Sequence, residues 1–188
     1  MAFRLLEEGE KLPVGSKQIP YHIIFDVKLD LTRKARLVAR GHQNKDVPKF
    51  TTFSTVASRD SVRIMFLIAA LNGLNVLFTD VGNAYLNAKC REKVHVKCGK
   101  ELFGPENEGK YAVIARALYG LKSSGASWRH HFATEIRSMG FKDTKADADA
   151  DADVYRKKSF KRMVQHTMNT WWYMSMMLSV SLKHRTIG

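Results

Sequence analysis

Cysteine is scarce in this 188-residue sequence, which contains only Cys90 and Cys98. Two cysteines cannot form the disulfide framework of a small secreted domain, and their spacing is not that of a paired zinc knuckle. His95 lies between them, but three ligands do not complete a structural zinc site, which takes four. We therefore expect a protein of a reducing, intracellular compartment, without distinguishing cytoplasm from nucleus.

Long apolar runs are also missing. Residues 1–8 lack the apolar core of a signal peptide. The apolar stretch at residues 171–182 is far shorter than the roughly 20 residues that a membrane-spanning helix needs. We therefore expect a soluble chain with no membrane partner.

Acidic residues are few, 18 Asp and Glu against 31 Lys and Arg, which gives a formal net charge of +13. Four of them fall in an alternating Asp-Ala run at residues 147–153, and none follows Asp153. That run lacks the internal glycine of a calcium loop, and Lys158 stands where the bidentate glutamate would be, so we interpret it as a solvated repeat. The basic remainder favours a polyanionic partner, above all nucleic acid; a basic surface without a partner is the alternative.

The order of predicted elements is that of one α+β domain. Apolar alternation predicts the strands, and apolar residues at helical spacing predict the helices. We expect a mostly antiparallel sheet with the helices packed on one face. The predicted strands are residues 21–30, 33–40, 76–80, 94–96 and 111–115, and residues 41–58 and 99–110 are predicted loops.

Each of the two predicted helices has an apolar face and a defined end. The first begins at a cap, Asp60 or Ser61, and ends at Asn72 and Gly73. The second covers residues 126–139. The apolar faces are Ile64, Leu67, Ile68 and Leu71 in the first helix and Trp128, Phe132, Ile136 and Met139 in the second.

A single carboxylate, Asp80, ends the apolar run at residues 76–80, and Gly82 and Asn83 then break the strand. An aspartate at a strand end beside a backbone turn offers the oxygen ligands that a hard divalent cation takes. The alternative is a strand that ends in a turn-capping aspartate. On these residues alone both interpretations stay open.

Basic residues line the second strand of a predicted hairpin. Lys34, Arg36 and Arg40 would suit phosphate contacts on its exposed face. A solvated edge strand protected by its charge is an equally good interpretation.

A glycine-bearing stretch precedes the second helix. Gly120 and Gly125 allow close backbone approach, Ser123 or Ser124 is a candidate cap, and Lys122 is nearby. A helix start of this composition is a candidate anion site.

Three segments together resemble one family, the reverse transcriptase domain of copia-type retrotransposon polyproteins. They are RKARLVARGH at residues 33–42, DVGNAYLN at residues 80–87 and RALYGLK at residues 116–122, the last continuing to Trp128. Their order and spacing match the family, and the similarity spans roughly residues 12–156.

The resemblance implies the fingers and palm of a right-hand polymerase that copies RNA into DNA, with an RNA template, a DNA primer and dNTP as partners. Asp80 would be the first palm carboxylate and, with the Val81 carbonyl, would bind catalytic Mg²⁺ in a two-metal scheme. Tyr85 matches the steric gate that excludes a ribose 2′-hydroxyl. The other implied nucleotide-binding positions are Lys34 and Arg36 near the triphosphate, and Tyr119, Gly120 and Lys122 beside the nucleotide and template.

One part of the family pattern is missing. The family has a second acidic motif, Tyr-x-Asp-Asp, after the segment that matches residues 153–156, and no Asp or Glu occurs there. We therefore expect a lead-in segment at residues 1–20, a truncated and inactive reverse transcriptase domain at residues 21–162, and an aberrant tail at residues 163–188. The alternatives are a non-catalytic, basic nucleic-acid-binding remnant and a chain too truncated to fold stably.

The codons of the tail permit a frameshift explanation. Read from the third base of each codon, Met176 followed by Met177 necessarily spells GAT, an Asp codon. With TAT for Tyr173 and TCG for Ser175, the same frame spells Tyr-Val-Asp-Asp. We therefore expect the tail to be a shifted translation of the missing motif, poorly ordered and without a native packing role.

Overall fold

The computed structural model describes residues 1–44, 52–143 and 153–157. It divides into two compact units, Met1–Ser54 with Tyr85–His131 and Thr55–Ala84 with Phe132–Gly188. The strands are β1 (Phe3–Leu5), β2 (Lys17–Gln18), β3 (Tyr21–Val27), β4 (Arg33–Ala39), β5 (Val94–Lys97), β6 (Tyr111–Ile114), β7 (Lys142–Asp143) and β8 (Tyr155–Arg156). The helices are α1 (Arg59–Leu71), α2 (Ala84–Asn87), α3 (Lys100–Phe103) and α4 (Ser124–Ser138), with 3-10 turns at Gly41–Gln43 and Pro105–Asn107.

The first unit contains a four-stranded sheet in the order β1-β6-β5-β2. Strand β6 pairs antiparallel with both β1 and β5, and β2 pairs parallel with β5. The predicted mixed α+β class with mainly antiparallel strands is confirmed. The packing of the helices on one face of the sheet stays a prediction.

Strands β3 and β4 form a separate antiparallel hairpin, with Tyr21 opposite Ala39 at its base. Its turn contains Leu31, whose φ of 63° lies in the left-handed region that a leucine rarely adopts. Leu37 and Ala39 pack in the core of the first unit. Because side chains alternate along a strand, Lys34 and Arg36 lie on the opposite face of β4.

The core of the first unit joins the sheet, the base of the hairpin and the chain before α4. Val94, Val96 and Ala112 come from the central strands and are almost completely buried. Leu118 and Leu121 pack against them from the chain between β6 and α4. The core therefore anchors both sides of the segment that carries Tyr119 and Gly120.

The second unit corrects the prediction for the first helix. The cap of α1 is Ser58, whose hydroxyl accepts a hydrogen bond from the Ser61 amide, so the proposed caps Asp60 and Ser61 are wrong by two or three residues. The end of the helix at Asn72 is confirmed. The predicted apolar face is on the helix but is not covered, since only Ala69 is buried and the four residues of that face have relative exposures of 48–76%. Those residues are Ile64, Leu67, Ile68 and Leu71.

The predicted strand at residues 76–80 is not formed. A strand needs a neighbour whose backbone groups complete its hydrogen-bond ladder, and no strand in the described part of the chain pairs with these residues. Leu77 and Phe78 are more than half exposed, although the Phe78 ring lies 5.9 Å from that of Phe66. Apolar composition alone therefore mispredicted this segment.

The second long helix is confirmed as α4, which starts two residues earlier than predicted and ends one residue earlier. In the second unit its residue Ile136 is buried, and the ring of Phe132 meets that of Tyr155 edge to face at 6.3 Å. The predicted loop at residues 99–110 contains α3 and a 3-10 turn instead, because Gly99 and Gly104 delimit one short helical turn.

In residues 1–44, 52–143 and 153–157 no helix is long and apolar enough to cross a membrane. The tail predicted at residues 163–188 and most of the Asp-Ala run lie outside these ranges. The predicted boundaries at residues 20 and 162 stay predictions.

Candidate nucleotide-binding site

In the first unit, the chain between β6 and α4 lies against the end of β4. The Ala39 amide donates a 2.8 Å hydrogen bond to the Tyr119 carbonyl, and Val38 and Tyr119 form an isolated parallel bridge. We call residues 118–124 the Gly120 turn. Its attachment to β4 brings the RALYGLK motif beside the RKARLVARGH motif, although about eighty residues of sequence separate them.

Two glycines make this close approach possible. Gly120 has a φ of +89°, and a Cβ placed on it would collide with the Ala39 carbonyl oxygen and lie 2.9 Å from Val38 Cγ1. A Cβ on Gly41 would collide with the Gly120 carbonyl and lie 2.9 Å from Leu121 Cα. A side chain at either position would therefore push the Gly120 turn away from β4.

Tyr85 and Tyr119 meet in the same unit. Their ring centroids are 4.7 Å apart, and the ring planes are inclined by 43°. Tyr119 is 41% exposed, so one side of this aromatic pair is open to solvent. The structure thus brings together the residue that matches the steric gate and one that matches the template-flanking segment.

The basic site residues extend along β4 from the Gly120 turn. Lys34 and Arg36 share their strand face with Val38, the residue that contacts Gly120. At about 3.3 Å per residue they lie roughly 17 Å and 10 Å along the strand from Ala39. Lys122 is exposed, and its Nζ donates a 2.6 Å hydrogen bond to the Asn44 carbonyl.

The predicted anion site at the start of α4 is occupied by a carboxylate of the chain itself, that of Glu92. Glu92 is 9% exposed, and its Oε1 accepts hydrogen bonds from the Ser123 amide at 2.9 Å and the Ser123 hydroxyl at 2.8 Å. The predicted serine at the helix start is therefore a donor to a carboxylate. Glu92 was missed in the sequence because it looks like one charge in an ordinary Arg-Glu-Lys run, 31 residues before its partner.

The thiols and the imidazole of the first unit sit in environments that favour their neutral forms. Burial raises the pKa of Cys90 to about 11, and the negative charge of Glu92 acts in the same direction. Burial also raises the pKa of Cys98 and lowers that of His95. The His95 ring is hydrogen-bonded at Nδ1 to the Ser16 hydroxyl, 2.8 Å away. These groups are suited to packing and not to nucleophilic chemistry.

Asp80 and Val81 belong to the second unit. Asp80 is exposed and Val81 is buried. In the described part of the chain no group of three or more His, Cys, Asp or Glu side chains is placed to hold a metal ion. A two-metal centre shares several carboxylates, so the described residues do not form a complete one.

Comparison with known proteins identifies the family. The family model for "Reverse transcriptase (RNA-dependent DNA polymerase)" matches residues 7–164. A Pol polyprotein from transposon TNT 1-94 of Nicotiana tabacum is 30% identical over 146 residues, which cover 73% of this chain and 11% of that protein. A Pol polyprotein from transposon RE2 of Arabidopsis thaliana is 28% identical over 115 residues, covering 61% of this chain and 8% of that protein.

A relative from yeast gives the same result. The truncated transposon Ty1-A Gag-Pol polyprotein of Saccharomyces cerevisiae is 33% identical over 110 residues, or 56% of this chain and 9% of that protein. The chain thus spans about a tenth of the length of these relatives, and no solved structure matches it significantly. The resemblance inferred from the three motifs is confirmed. The chain belongs to the reverse transcriptase family, in the copia-type group whose members are domains of retrotransposon Pol polyproteins.

Proposed function

We propose that this chain is the fingers and palm portion of a copia-type reverse transcriptase and that it holds a template–primer duplex and a nucleotide without copying the template. The attachment of the Gly120 turn to β4 carries the proposal. It joins two of the three family motifs in one unit through the Ala39 amide and the Tyr119 carbonyl. Motifs with a common ligand are expected to meet in the fold.

The residues of this site have chemically suitable roles. Lys34 and Arg36 lie on the face of β4 away from the core and would contact the triphosphate of a dNTP. Tyr119, Gly120 and Lys122 would flank the nucleotide and the RNA template. Tyr85, in ring contact with Tyr119, would exclude a ribose 2′-hydroxyl by steric overlap.

The charge of the chain supports duplex binding through phosphates. A formal net charge of +13 attracts nucleic acids whatever their base sequence. Phosphate contacts position a duplex without selecting its bases, as copying any template requires. We propose an intracellular location, where an RNA template and a DNA primer are available.

The metal requirement is where this chain departs from its family. Asp80 and the Val81 carbonyl would hold Mg²⁺, which in this family's scheme activates the primer hydroxyl and stabilises the leaving pyrophosphate. The sequence has no Asp or Glu after Asp153 to complete the carboxylate set, and the described residues offer no cluster of metal ligands. Since one carboxylate does not fit a two-metal centre, we propose that the chain makes no DNA.

Primer extension with Mg²⁺ and an RNA template tests this proposal. The expected result is no extension product, together with measurable binding of the same primer–template. Product formation that is abolished by Asp80→Asn would show that the chain is an active polymerase. Absence of both extension and binding, from a chain that melts cooperatively, would contradict the proposed role in holding the duplex.

A further inference from the structure

Two buried serines at the carboxyl end of the Gly120 turn hold it in place. The Ser124 hydroxyl donates a 2.6 Å hydrogen bond to the Leu118 carbonyl and closes the turn on itself. Ser123 donates twice to Glu92 and ties the turn to the segment before β5. Both serines are 1% exposed, so water does not compete for these bonds.

Glu92 is itself firmly placed. Its carbonyl accepts hydrogen bonds from the Val94 amide at 3.1 Å and from Cys90 Sγ at 3.4 Å. The Cys90 amide in turn donates to the Ala115 carbonyl, next to β6. The backbone around Glu92 is thus fixed beside the central strands β5 and β6, and the carboxylate extends from there to the start of α4.

The carboxylate is an unusual group for this position. Its Oε2 atom is buried and has no hydrogen-bond partner among the described residues, as is true of Ser127 Oγ one helical turn beyond Ser123. Enclosing a carboxylate is costly unless all of its acceptor sites are used. A carboxylate at the amino end of a helix recovers part of that cost through the helix dipole and two charge-assisted hydrogen bonds.

From this arrangement we propose that Glu92 is a positioning residue that fixes the Gly120 turn against β4, so that Tyr119 and Gly120 are held ready for nucleotide or template. The inference rests on the proposed function only in its last step. Its structural step is local: with Glu92 in place, the hydrogen bond from the Ala39 amide to the Tyr119 carbonyl stays closed. Without Glu92, the turn should detach while the sheet remains folded.

Amide hydrogen exchange measured by NMR on the full chain tests the structural step. In Glu92→Ala we expect the Ala39 and Ser123 amides to exchange at least about tenfold faster, while the amides of the β5–β6 ladder keep their wild-type rates. Glu92→Gln retains the acceptor oxygen and should bring the Ala39 rate back to within about threefold of wild type. Glu108→Ala, which removes an exposed carboxylate from the same unit, should change neither rate.

Ser123→Ala provides a second variant if Glu92→Ala does not fold. It removes the hydroxyl donor and keeps the amide donor, so we expect faster exchange at the same two amides with a smaller increase. Uniformly faster exchange across the β5–β6 ladder in either variant would show that Glu92 only stabilises the fold. An unchanged Ala39 rate would also overturn the proposal.

Binding of a labelled RNA–DNA duplex, measured below the melting temperature, tests the last step. We expect Glu92→Ala to weaken binding at least about fivefold and Glu92→Gln to restore most of it. If exchange increases at Ala39 and Ser123 while binding stays at the wild-type level, Glu92 does position the turn. The proposed role of the turn in nucleic-acid contact would then be wrong, so the two failures are distinguishable.

Discussion

The aromatic ring of Tyr85 lies 4.7 Å from the ring of Tyr119, centroid to centroid, at an interplanar angle of 43°. The contact joins the short helix α2, within the DVGNAYLN motif, to the Gly120 turn, within the RALYGLK motif. Arg116 Nη1 also donates a 3.1 Å hydrogen bond to the Asn87 carbonyl, so two motifs that are recognisable in the sequence are coupled by a ring contact and a hydrogen bond.

A double-mutant cycle should detect this coupling. Tyr85→Ala and Tyr119→Ala, alone and together, should give an interaction free energy of about 0.5–1.5 kcal/mol in urea unfolding, because inclined aromatic pairs contribute about that much beyond burial. A matched cycle of Tyr85→Ala with Tyr111→Ala, in strand β6, should give a value near zero. Equal values in the two cycles would refute the contact.

Gly120 should tolerate no side chain. Gly120→Ala forces a Cβ into the Ala39 carbonyl, whereas Gly109→Ala places a Cβ in open space at a similar φ of +82°. We expect Gly109→Ala to lower the free energy of unfolding by about 1–2 kcal/mol, the cost of the left-handed backbone. Gly120→Ala should cost at least about 2 kcal/mol more, since the collision adds to that strain. Equal losses in the two variants would mean that the turn does not contact β4.

Affinity for duplex DNA should fall steeply with salt. The slope of log affinity against log salt is roughly −0.9 per phosphate contact, so removing one contact flattens it by about that amount. Lys34→Ala and Arg36→Ala should each flatten the slope if β4 contacts phosphates. Lys11→Ala removes an exposed positive charge from the lead-in segment and should leave the slope unchanged. A salt-independent affinity in the wild-type chain would contradict phosphate-dominated binding.

Cys90 should make the fold sensitive to alkaline pH. Burial raises its pKa to about 11 from an ordinary value of 9.0, so the folded state holds the proton more tightly than the unfolded state. The resulting stability is fully present below pH 9 and is lost as the pH rises through 11. Melting curves between pH 8 and pH 11 should therefore show a larger loss for the wild type than for Cys90→Ala. Parallel losses would mean that this thiol is not buried.

The tail can be tested at the level of nucleic acid. We propose that residues 163–188 are a shifted translation of the Tyr-x-Asp-Asp strand. The forced GAT at Met176 and Met177 gives the second Asp of Tyr-Val-Asp-Asp, and codons TAT for Tyr173 and TCG for Ser175 would complete the motif before it. Sequencing the coding DNA is sufficient: without a Tyr-Val-Asp-Asp frame there, the frameshift explanation fails.

Local sequence patterns predicted the longer strands and helices of the fold. Alternation located β3, β4, β5 and β6, and helical spacing located α1 and α4, each to within a few residues. The predictions failed where a neighbour decides the outcome. The chain before Asp80 has strand composition but no described partner strand, and the apolar face of α1 has the right period but remains exposed. Periodicity determines which residues share a face and not whether another element covers it.

The site was predictable only through the family motifs. The motifs assigned Tyr85, Tyr119 and Gly120 to one nucleotide-binding site. In the first unit the rings of Tyr85 and Tyr119 are in contact, and Gly120 lies against β4. Glu92 gave no signal, because a buried carboxylate and a surface carboxylate are the same letter in the sequence. Its role depends on a contact across 31 residues that only the fold determines.

The apolar face of α1 has a consequence for the life of this chain in a cell. The helix presents a continuous apolar stripe to solvent, formed by Ile64, Leu67, Ile68 and Leu71. Such surfaces promote self-association. Chaperones and proteases continuously sort chains that expose apolar surface. We therefore expect an Ile68→Lys change on that stripe to lengthen the half-life of the protein in cells.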